Sequence, residues 1–303
     1  MLTHIFHVSD IHIRNGDIKQ CRYDEYLNVF LNLFESLKNN ILRLKLKKDN
    51  FVIIVSGDIF HNKNNIGNYG LVLYKKFIEG LTKIGKTILF HGNHDKNQNE
   101  VDQPSLISST MDIKNLILLE KTGCFSIEDI CFSYVSVDDT LDNLRTNGRL
   151  DVLPTFPEED AVYKVAMFHG TFGNVKLYNG MSVTDEHKPY PFKWISNFDF
   201  AILGDIHLRQ HGTYGKTLWG YSGSLIQQNY GEDIINHGYM IWDIRNKKIE
   251  EINVSNNIGM VNIKEEDNRI LIRNRGKYEN IENYINNDFF PQQHLESLLI
   301  ENS

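Results

Sequence analysis

The feature that most constrains the fold is a set of five short apolar runs, each ending in a loop that carries Gly, Asp, Asn or His. Continuous apolar runs of this length are typical of strands buried on both faces. Between the first three runs, apolar residues recur at helical spacing over residues 24–48 and 71–84. The alternation of strand and helix predicts an α/β protein with parallel strands. The predicted strands are residues 3–8, 51–55, 86–90, 163–168 and 200–203.

The second half of the chain is richer in predicted strands. Residues 125–127 and 131–135 are predicted to form a hairpin, and residues 217–221, 237–243 and 248–254 continue the alternating pattern. We therefore expect two packed, mixed β-sheets flanked by helices. Residues 1–260 are predicted to form one catalytic domain. Residues 261–303 form a short C-terminal tail, with one strand and two short helices, that is too small for a core of its own.

Composition excludes several classes of protein. No run approaches the roughly eighteen apolar residues of a membrane span, and the first residues lack the features of a secretion signal. We therefore expect an intracellular protein that is neither secreted nor membrane-bound. Cys21, Cys124 and Cys131 form no CxxC pair, which argues against a zinc ribbon or a disulfide scaffold. The net charge of −7 means that any contact with nucleic acid must come from local patches.

The loops after the five strands carry side chains that bind metals. A single Asp-x-His pair occurs by chance in surface loops, but here metal-type ligands follow all five apolar runs. Residues two apart in an extended segment point the same way, so Asp10 with His12, and Asp205 with His207, can hold one ion. Mixed carboxylate, imidazole and amide ligands suit manganese, iron or zinc better than a closed thiolate site. Two ions about 3.5–4 Å apart promote in-line displacement at phosphorus, so the residue types predict hydrolysis of phosphate esters.

The motifs in order are Asp10-Ile11-His12, Gly57-Asp58-Ile59-Phe60-His61, Gly92-Asn93-His94-Asp95, His169-Gly170 and Gly204-Asp205-Ile206-His207. Over residues 1–245 they resemble the calcineurin-like metallophosphoesterase superfamily. Within it, the motif that ends at His61 and the sequence Tyr-Ser-Gly-Ser-Leu-Ile-Gln-Gln at 221–228 resemble the SbcD type of DNA double-strand-break repair nuclease. The resemblance implies a four-layer sandwich with a dimetal site at the carboxyl ends of the strands.

The resemblance also implies roles for individual residues. The first ion would be held by Asp10, His12, Asp58 and His207, and the second by Asp58, Asn93, His169 and Asp205, with Asp58 as the bridge. His94 would donate a proton to the leaving oxygen or stabilise the transition state, His61 would orient the phosphate, and Asp95 would hold His94 by a hydrogen bond. Manganese is the expected ion, with iron or zinc as alternatives.

Two features depart from the family pattern. The last motif of the family is Gly-His-x-His, whereas this chain has Asp205 at the first histidine position. A carboxylate there adds negative charge and should favour manganese over softer ions. The second departure is the tail, because SbcD-like chains continue into a capping domain and a segment that docks a coiled-coil ATPase. Partnership with such an ATPase is therefore doubtful, and a homodimer is a further expectation.

Three functions remain open from the sequence. The first is a manganese-dependent phosphodiesterase acting on DNA as an exonuclease or endonuclease, which His61 and residues 221–228 favour. The second is a phosphatase or phosphodiesterase acting on a small nucleotide or a phosphoprotein, which the net acidity and the missing cap favour. The third is a DNA-end-binding module with little catalysis.

Other candidates are interpreted as structural. His4, His7 and His91 lie within or beside apolar strands, where a hydrogen-bonded histidine is more common than a metal ligand. The aromatic residues Trp194, Phe198 and Phe200 are expected in the core and not on a base-stacking surface.

Overall fold

The structure is a computed structural model that describes residues 1–16, 22–63, 65–97, 104–110, 112–139, 161–184, 189–260, 262–266, 269–274 and 277–280. Two α-helices lie in this part of the chain, α1 (Tyr23–Arg43) and α2 (Asn68–Ile84). Its strands are β1 (His4–Val8), β2 (Phe51–Ser56), β3 (Thr87–Phe90), β4 (Leu116–Leu119), β5 (Gly123–Ile127), β6 (Ile130–Val135), β7 (Tyr163–His169), β8 (Phe200–Gly204), β9 (Gln210–Tyr214), β10 (Thr217–Tyr221), β11 (Gly238–Asp243), β12 (Lys248–Asn253), β13 (Asn262–Glu266), β14 (Arg269–Asn274) and β15 (Lys277–Asn280).

Two six-stranded mixed sheets form the body of the protein, as the sequence predicts. The first has the order β12-β11-β1-β2-β3-β4, and strands β1 to β4 run parallel. The second has the order β5-β6-β7-β8-β10-β9, with β6, β7, β8 and β10 parallel. Antiparallel strands complete both sheets at their edges. Because the central strands are parallel, their carboxyl ends lie along one edge of each sheet.

The strands are apolar because both faces of the central sheets are covered. Side chains that alternate along each strand fill the layer between the two sheets, among them Ile54, Phe90, Phe132, Met167 and Ile202. The opposite face of the first sheet packs against α1 and α2. The outer face of the second sheet packs against residues between 172 and 221. In the part of the chain that the structure describes, this segment contains one short 3-10 turn, Phe192–Ile195.

Helix α1 differs in detail from the predicted helix over residues 24–48. It ends at Arg43, and Lys45 has a left-handed backbone with φ of 56°. The buried stripe is Tyr26, Val29, Phe30, Leu33 and Leu37, whereas Leu31, which the spacing placed on the apolar face, is 64% exposed. Apolar residues occur on more than one face of this helix, so spacing alone does not settle which face packs against the sheet.

The tail also departs from its prediction. Its described residues form three antiparallel strands, β13, β14 and β15, in a separate sheet, where one strand was predicted. Residues 281–303 lie outside the described residues, so the two predicted short helices stay a prediction. Strand pairing within a short segment cannot be inferred from composition when the apolar pattern is weak, which explains the difference in strand number. Among the described helices, none is long and apolar enough to cross a membrane.

Candidate metal centre

The five predicted loops meet at the carboxyl ends of parallel strands. Asp10 follows β1, Asp58 follows β2, Asn93 follows β3 and Asp205 follows β8, while His169 is the last residue of β7. Loops of both sheets therefore contribute to one site. This position agrees with the expected dimetal site at the strand ends.

Several of these residues have a left-handed backbone that side chains other than glycine rarely adopt. The φ angles are 51° at Asp10, 50° at His12, 53° at Asp58 and 97° at Asp205. Each such residue costs about 1–3 kcal/mol, and strain of this kind concentrates at functional sites. Backbone hydrogen bonds hold the first two loops together, since Asp10 N donates to the Gly57 carbonyl at 3.2 Å and His12 N donates to the Asp58 carbonyl at 2.9 Å.

Two glycines allow the loops to approach each other. Gly57 has φ of 86°, and a Cβ there would lie 2.8 Å from the Gly92 Cα. A Cβ on Gly92 would collide with Oδ1 of Asp58. The glycines before Asp58 and Asn93 are therefore required by the packing of one loop on the next.

One group of ligand atoms comprises Asp10, His12 and His207, whose atoms lie within 4.8 Å of one another. Nε2 of His12 is 2.9 Å from Nε2 of His207, and both nitrogens are 3.9 Å from Oδ1 of Asp10. Asp58 approaches the same group, with its Oδ2 3.4 Å from Nε2 of His12. These are the four residues assigned to the first ion.

A second group comprises Asp10, Asp58 and His169, again within 4.8 Å. Nε2 of His169 lies 3.2 Å from Oδ1 of Asp58 and 3.9 Å from Oδ1 of Asp205. Asn93 Nδ2 lies 3.5 Å from the same oxygen of Asp205. The structure thus brings together the residues assigned to the second ion. The two carboxylate oxygens of Asp58 face different groups, as a bridging ligand requires.

The donor atoms of this site fit a cation. Nδ1 of His169 donates to the Ser56 carbonyl at 2.7 Å, so Nε2 carries a lone pair, and it has no hydrogen-bond partner in the described part of the chain. Nδ1 of His207 donates to Glu232 at 2.7 Å, which leaves the Nε2 lone pair directed at Asp10 and His12. Lone pairs and carboxylates that face one another in a buried site require a positive charge between them.

The pKa values of His207 and His169 show that the carboxylates around them favour a positive charge at this site. Burial by itself lowers the pKa of His207, but the hydrogen bond to Glu232 and the charge of Asp10 raise it to about 9. Burial likewise opposes protonation of His169, yet the charge of Asp58 raises its pKa well above the ordinary value. Burial raises the pKa of Asp10 to about 6. A divalent cation would replace the protons on these imidazoles.

Glu232 is a functional residue that the sequence analysis missed. Its Oε1 accepts from Nδ1 of His207, and its Oε2 accepts from Gln228 N at 2.8 Å and Ser224 Oγ at 3.1 Å. The carboxylate is 2% exposed. A carboxylate behind a ligating imidazole fixes the ring and its tautomer. The signal in the sequence was the acidic pair Glu232-Asp233 just after the 221–228 motif.

We expect Glu232→Gln to weaken divalent-metal affinity by about 10–100-fold, the usual effect of removing a partner behind a ligating histidine. Titration of metal-free protein with Mn²⁺, followed by calorimetry, measures the change. Glu250→Gln, an exposed glutamate on β12, is the matched control and should bind as the unmodified protein does. Equal affinity in Glu232→Gln would show that His207 is not a ligand.

The imidazoles of His12, His61 and His94 converge beside Asp58, with ligand atoms within 4.8 Å of one another. The ring centroids of His12 and His94 are 5.0 Å apart, and those of His61 and His94 are 5.8 Å apart. The backbone N–H of His94 donates to Oδ1 of Asp58 at 2.9 Å. His94 and His61 thus border the two ligand groups, where the sequence analysis placed residues that act on the phosphate.

The predicted hydrogen bond from Asp95 to His94 is wrong. Nδ1 of His94 donates instead to the His61 carbonyl at 2.7 Å. Asp95 accepts from Phe60 N at 2.9 Å and from Gly92 N at 2.8 Å, and burial raises its pKa to about 6. Asp95 therefore positions the two loops that carry His61 and His94. A backbone partner of this kind leaves no pattern in the sequence, which is why a side-chain partner was predicted.

Arg14 is a second residue that the sequence analysis missed. Its Nη2 donates to the Gln228 carbonyl at 2.7 Å, and its Nη1 lies 3.5 Å from Nε2 of His61. Burial, and then the charge of Arg14, lower the pKa of His61. Arg14 lies two residues after His12, just as His12 lies two residues after Asp10. This repeated spacing was the signal in the sequence that could have identified Arg14.

The histidines interpreted as structural have protein partners. His7 Nε2 lies 2.7 Å from Ser56 Oγ, and His91 Nε2 lies 3.6 Å from Asp138 Oδ2. His4 Nδ1 lies 2.9 Å from Thr3 Oγ1. The aromatic residues Trp194, Phe198 and Phe200 are buried, as expected.

Comparison with known families settles which class of protein this is. The model of the calcineurin-like phosphoesterase family matches residues 3–209. The chain belongs to this family. The match covers all of the loops described above except the segment that carries Glu232. The family is dimetal-dependent, and the calcineurin-like phosphoesterase described here has ligand groups of the corresponding kind.

Two viral proteins are similar in sequence. "Uncharacterized protein R555" of Acanthamoeba polyphaga mimivirus is 33% identical over 279 residues, which are 89% of this chain and 19% of that protein. "Putative phosphoesterase 244L" of Invertebrate iridescent virus 6 is 23% identical over 193 residues, or 62% of each chain. This calcineurin-like phosphoesterase therefore spans about a fifth of the first relative and less than two thirds of the second.

A solved crystal structure shows the same fold. It matches 84% of this chain and 100% of its own chain, with a TM-score of 0.51 and 13% sequence identity. At this identity the likeness concerns the fold alone, and it agrees with the two mixed sheets described above.

Proposed function

We propose that this calcineurin-like phosphoesterase is a metal-dependent phosphodiester hydrolase that uses manganese and acts on DNA. The observation that carries the hydrolytic part is the position of Asp58, whose two carboxylate oxygens face separate groups of ligand atoms while His94 lies beside it. Two divalent ions held there supply the charge that activates water and neutralises the phosphate oxygens.

The residues of the chain orient the substrate around those groups. The His94 ring is held by its Nδ1–H bond to the His61 carbonyl, so Nε2 is the atom available to the phosphate or the leaving oxygen. His61, kept neutral by burial and by Arg14, offers a hydrogen bond without adding charge. Arg14 contributes a fixed positive charge on the same side of the site, where a phosphate oxygen would lie.

We expect Arg14→Ala to lower kcat/KM by about 10–100-fold, because a charge-assisted hydrogen bond contributes about 1.5–3 kcal/mol. Arg14→Lys should recover part of the loss, since it keeps the charge but not the planar fork. Steady-state kinetics on bis(p-nitrophenyl) phosphate measure both. Arg43→Ala, an exposed arginine at the end of α1, is the control. Unchanged kinetics in Arg14→Ala would place this residue outside the substrate path.

The choice of DNA rests on the resemblance of residues 221–228 to the SbcD type. In the structure these residues are all buried, and their backbone groups as well as their side chains make hydrogen bonds to neighbouring segments. The Gln227 carbonyl accepts from Arg22, the Gln228 carbonyl accepts from Arg14, and Gln228 N donates to Glu232. This segment therefore supports the site from behind. A small nucleotide is the second candidate, favoured by the net charge of −7.

One panel of assays tests the proposal. Purified protein loaded with Mn²⁺ is given linear duplex, hairpin and single-stranded DNA, bis(p-nitrophenyl) phosphate and p-nitrophenyl phosphate. Hydrolysis of DNA and of the diester, abolished by EDTA, is expected. Cleavage of the monoester only would make the protein a phosphatase, and DNA binding without cleavage would make it a binding module. Association with a second copy or with a coiled-coil ATPase stays a prediction.

Asp205 gives a test of the metal. Its backbone N–H lies 3.3 Å from both carboxylate oxygens of Asp10, and its side chain accepts from the Thr171 hydroxyl. We expect Asp205→His to shift the metal preference from manganese towards zinc or cobalt, because imidazole is the softer ligand. Activity and binding affinity with Mn²⁺, Co²⁺ and Zn²⁺ measure the ranking. The same ranking in Asp205→His and in the unmodified protein would mean that Asp205 does not bind metal.

A further inference from the structure

A cavity of about 380 Å³ adjoins the candidate metal centre, and His94 is not among the residues that line it. Its lining includes residues 205–208, among them two of the ligand residues, and residues 177–179. Glu232 and its neighbours close the remaining side. A group attached to a phosphate at the metal centre could therefore enter this cavity directly.

The size of the cavity limits its occupant. Sites for small molecules occupy about 300–1,000 Å³, so this cavity lies near the lower end. Its volume is that of one ring system with its sugar, and longer parts of a substrate would lie outside it. The occupant is therefore a single unit of a substrate.

The charge of the cavity disfavours a second phosphate. Asp205 and Glu232 contribute carboxylates, and none of the residues that line it is Lys or Arg. The one imidazole, His207, is already paired with Glu232. Because no basic side chain lines the cavity to pair with a phosphate group, the cavity suits an uncharged occupant.

The walls suit a flat ring. Leu177 and Leu208 provide aliphatic surface, and Tyr178 adds an aromatic ring. The Tyr178 hydroxyl donates to the His207 carbonyl at 3.3 Å, which ties this wall to the metal-binding loop. Tyr230, which is 53% exposed, follows the lining residue Asn229. Aromatic side chains beside a phosphate-binding centre are the usual surface for stacking a base.

We propose that this cavity binds one nucleoside esterified to the scissile phosphate, so that the substrate is a nucleotide diester read one nucleoside at a time. The inference rests on the proposed phosphodiesterase function. It adds the chemical identity of one of the two groups esterified to the phosphate. The other ester group then lies towards His94, His61 and Arg14.

Three p-nitrophenyl esters separate this inference from the proposed function. Methyl p-nitrophenyl phosphate tests diester hydrolysis alone, and the p-nitrophenyl esters of thymidine 5′- and 3′-monophosphate add a nucleoside. The unmodified protein should favour one of the thymidine esters by about tenfold or more in kcat/KM, the lower range of a base-stacking contribution. Equal rates on the methyl ester and on both thymidine esters would overturn the proposal while leaving diester hydrolysis intact.

Variants of the cavity locate the preference. Asn179→Trp should fill the cavity from its exposed rim, and Tyr178→Leu should remove the aromatic face while keeping an apolar wall. Both should reduce the ratio of thymidine-ester to methyl-ester kcat/KM by about tenfold. Met181→Trp, at a residue that is 61% exposed and does not line the cavity, is the matched control and should keep the ratio. A ratio that is unchanged in both cavity variants would place the nucleoside elsewhere.

A binding measurement decides the question even in a protein that hydrolyses none of the esters. Deoxyadenosine carries no phosphate, so ligand-observed NMR reports its contact with the cavity and not with the metals. Saturation transfer is expected with the unmodified protein and Met181→Trp, and its loss is expected in Asn179→Trp. The absence of transfer in the unmodified protein, or faster hydrolysis of a phosphoserine peptide than of the thymidine esters, would contradict a nucleoside site.

Discussion

Asp58→Asn is expected to remove both divalent ions and to lower kcat/KM by at least about a thousandfold. Asp58 presents Oδ2 to His12 at 3.4 Å and Oδ1 to His169 at 3.2 Å, so it is the one carboxylate assigned to both ions. The amide keeps the size of the side chain and an oxygen for the His94 N–H, but it removes the charge. Stabilisation of charge by metal ions contributes several kcal/mol, which corresponds to a factor of this size.

Elemental analysis of protein loaded with Mn²⁺ measures the occupancy directly, and two ions per chain are expected before substitution. Asp112→Asn, an exposed aspartate outside the site, is the matched control and should retain both ions and full activity. Thermal unfolding of the metal-free proteins separates loss of metal from loss of fold. Active protein that holds one ion, or an Asp58→Asn variant that keeps both, would contradict a bridging role.

His94→Gln is expected to lower kcat by about 10²–10⁴-fold, the range for a general acid or base, while the metal content stays at two ions. The reason is geometric, because the ring lies beside the ligand groups and its Nδ1 is occupied by the His61 carbonyl. Glutamine keeps a polar group of similar length but cannot transfer a proton.

Metal content and kcat must be measured on the same sample, because Asn93 and His94 are neighbours. His211→Gln, at a histidine 3.6 Å from Glu251 and outside the ligand groups, is the matched control and should keep its rate. Loss of metal in His94→Gln would make His94 a ligand, and an undiminished kcat would remove it from the reaction. If His94 protonates the leaving oxygen, the difference in kcat between His94→Gln and the unmodified protein should be smaller on a substrate with a better leaving group.

The fold class could be predicted because the sequence repeats one simple signal. Fully apolar runs such as residues 51–55 require cover on both faces, and helical spacing between them requires parallel connections. The weaker elements were less predictable. Strand β9 (Gln210–Tyr214) is largely exposed and polar, and it pairs at a sheet edge where burial leaves no pattern.

By itself, the sequence determined the type of chemistry. Carboxylate, imidazole and amide side chains after successive buried strands must gather at one edge, since parallel strands place their carboxyl ends there. Which of these side chains serve as ligands, among them Asp10, Asp58, Asn93, His169 and His207, came from the resemblance to the family and not from the strand geometry. The left-handed backbone at Asp10, His12 and Asp58 was not predictable, because it is imposed by the neighbouring loops.

Only the tertiary structure decided which groups support the ligands and what lies beside them. Glu232 contacts His207, which is 25 residues away in the sequence, and Arg14 contacts Gln228, which is 214 residues away. Asp95 turned out to bind backbone N–H groups and not the ring of His94. The cavity is formed by Leu177–Asn179 and Asp205–Leu208 only once β7 and β8 are paired. Contacts of this kind depend on the packing of distant segments, and local periodicity contains no record of it.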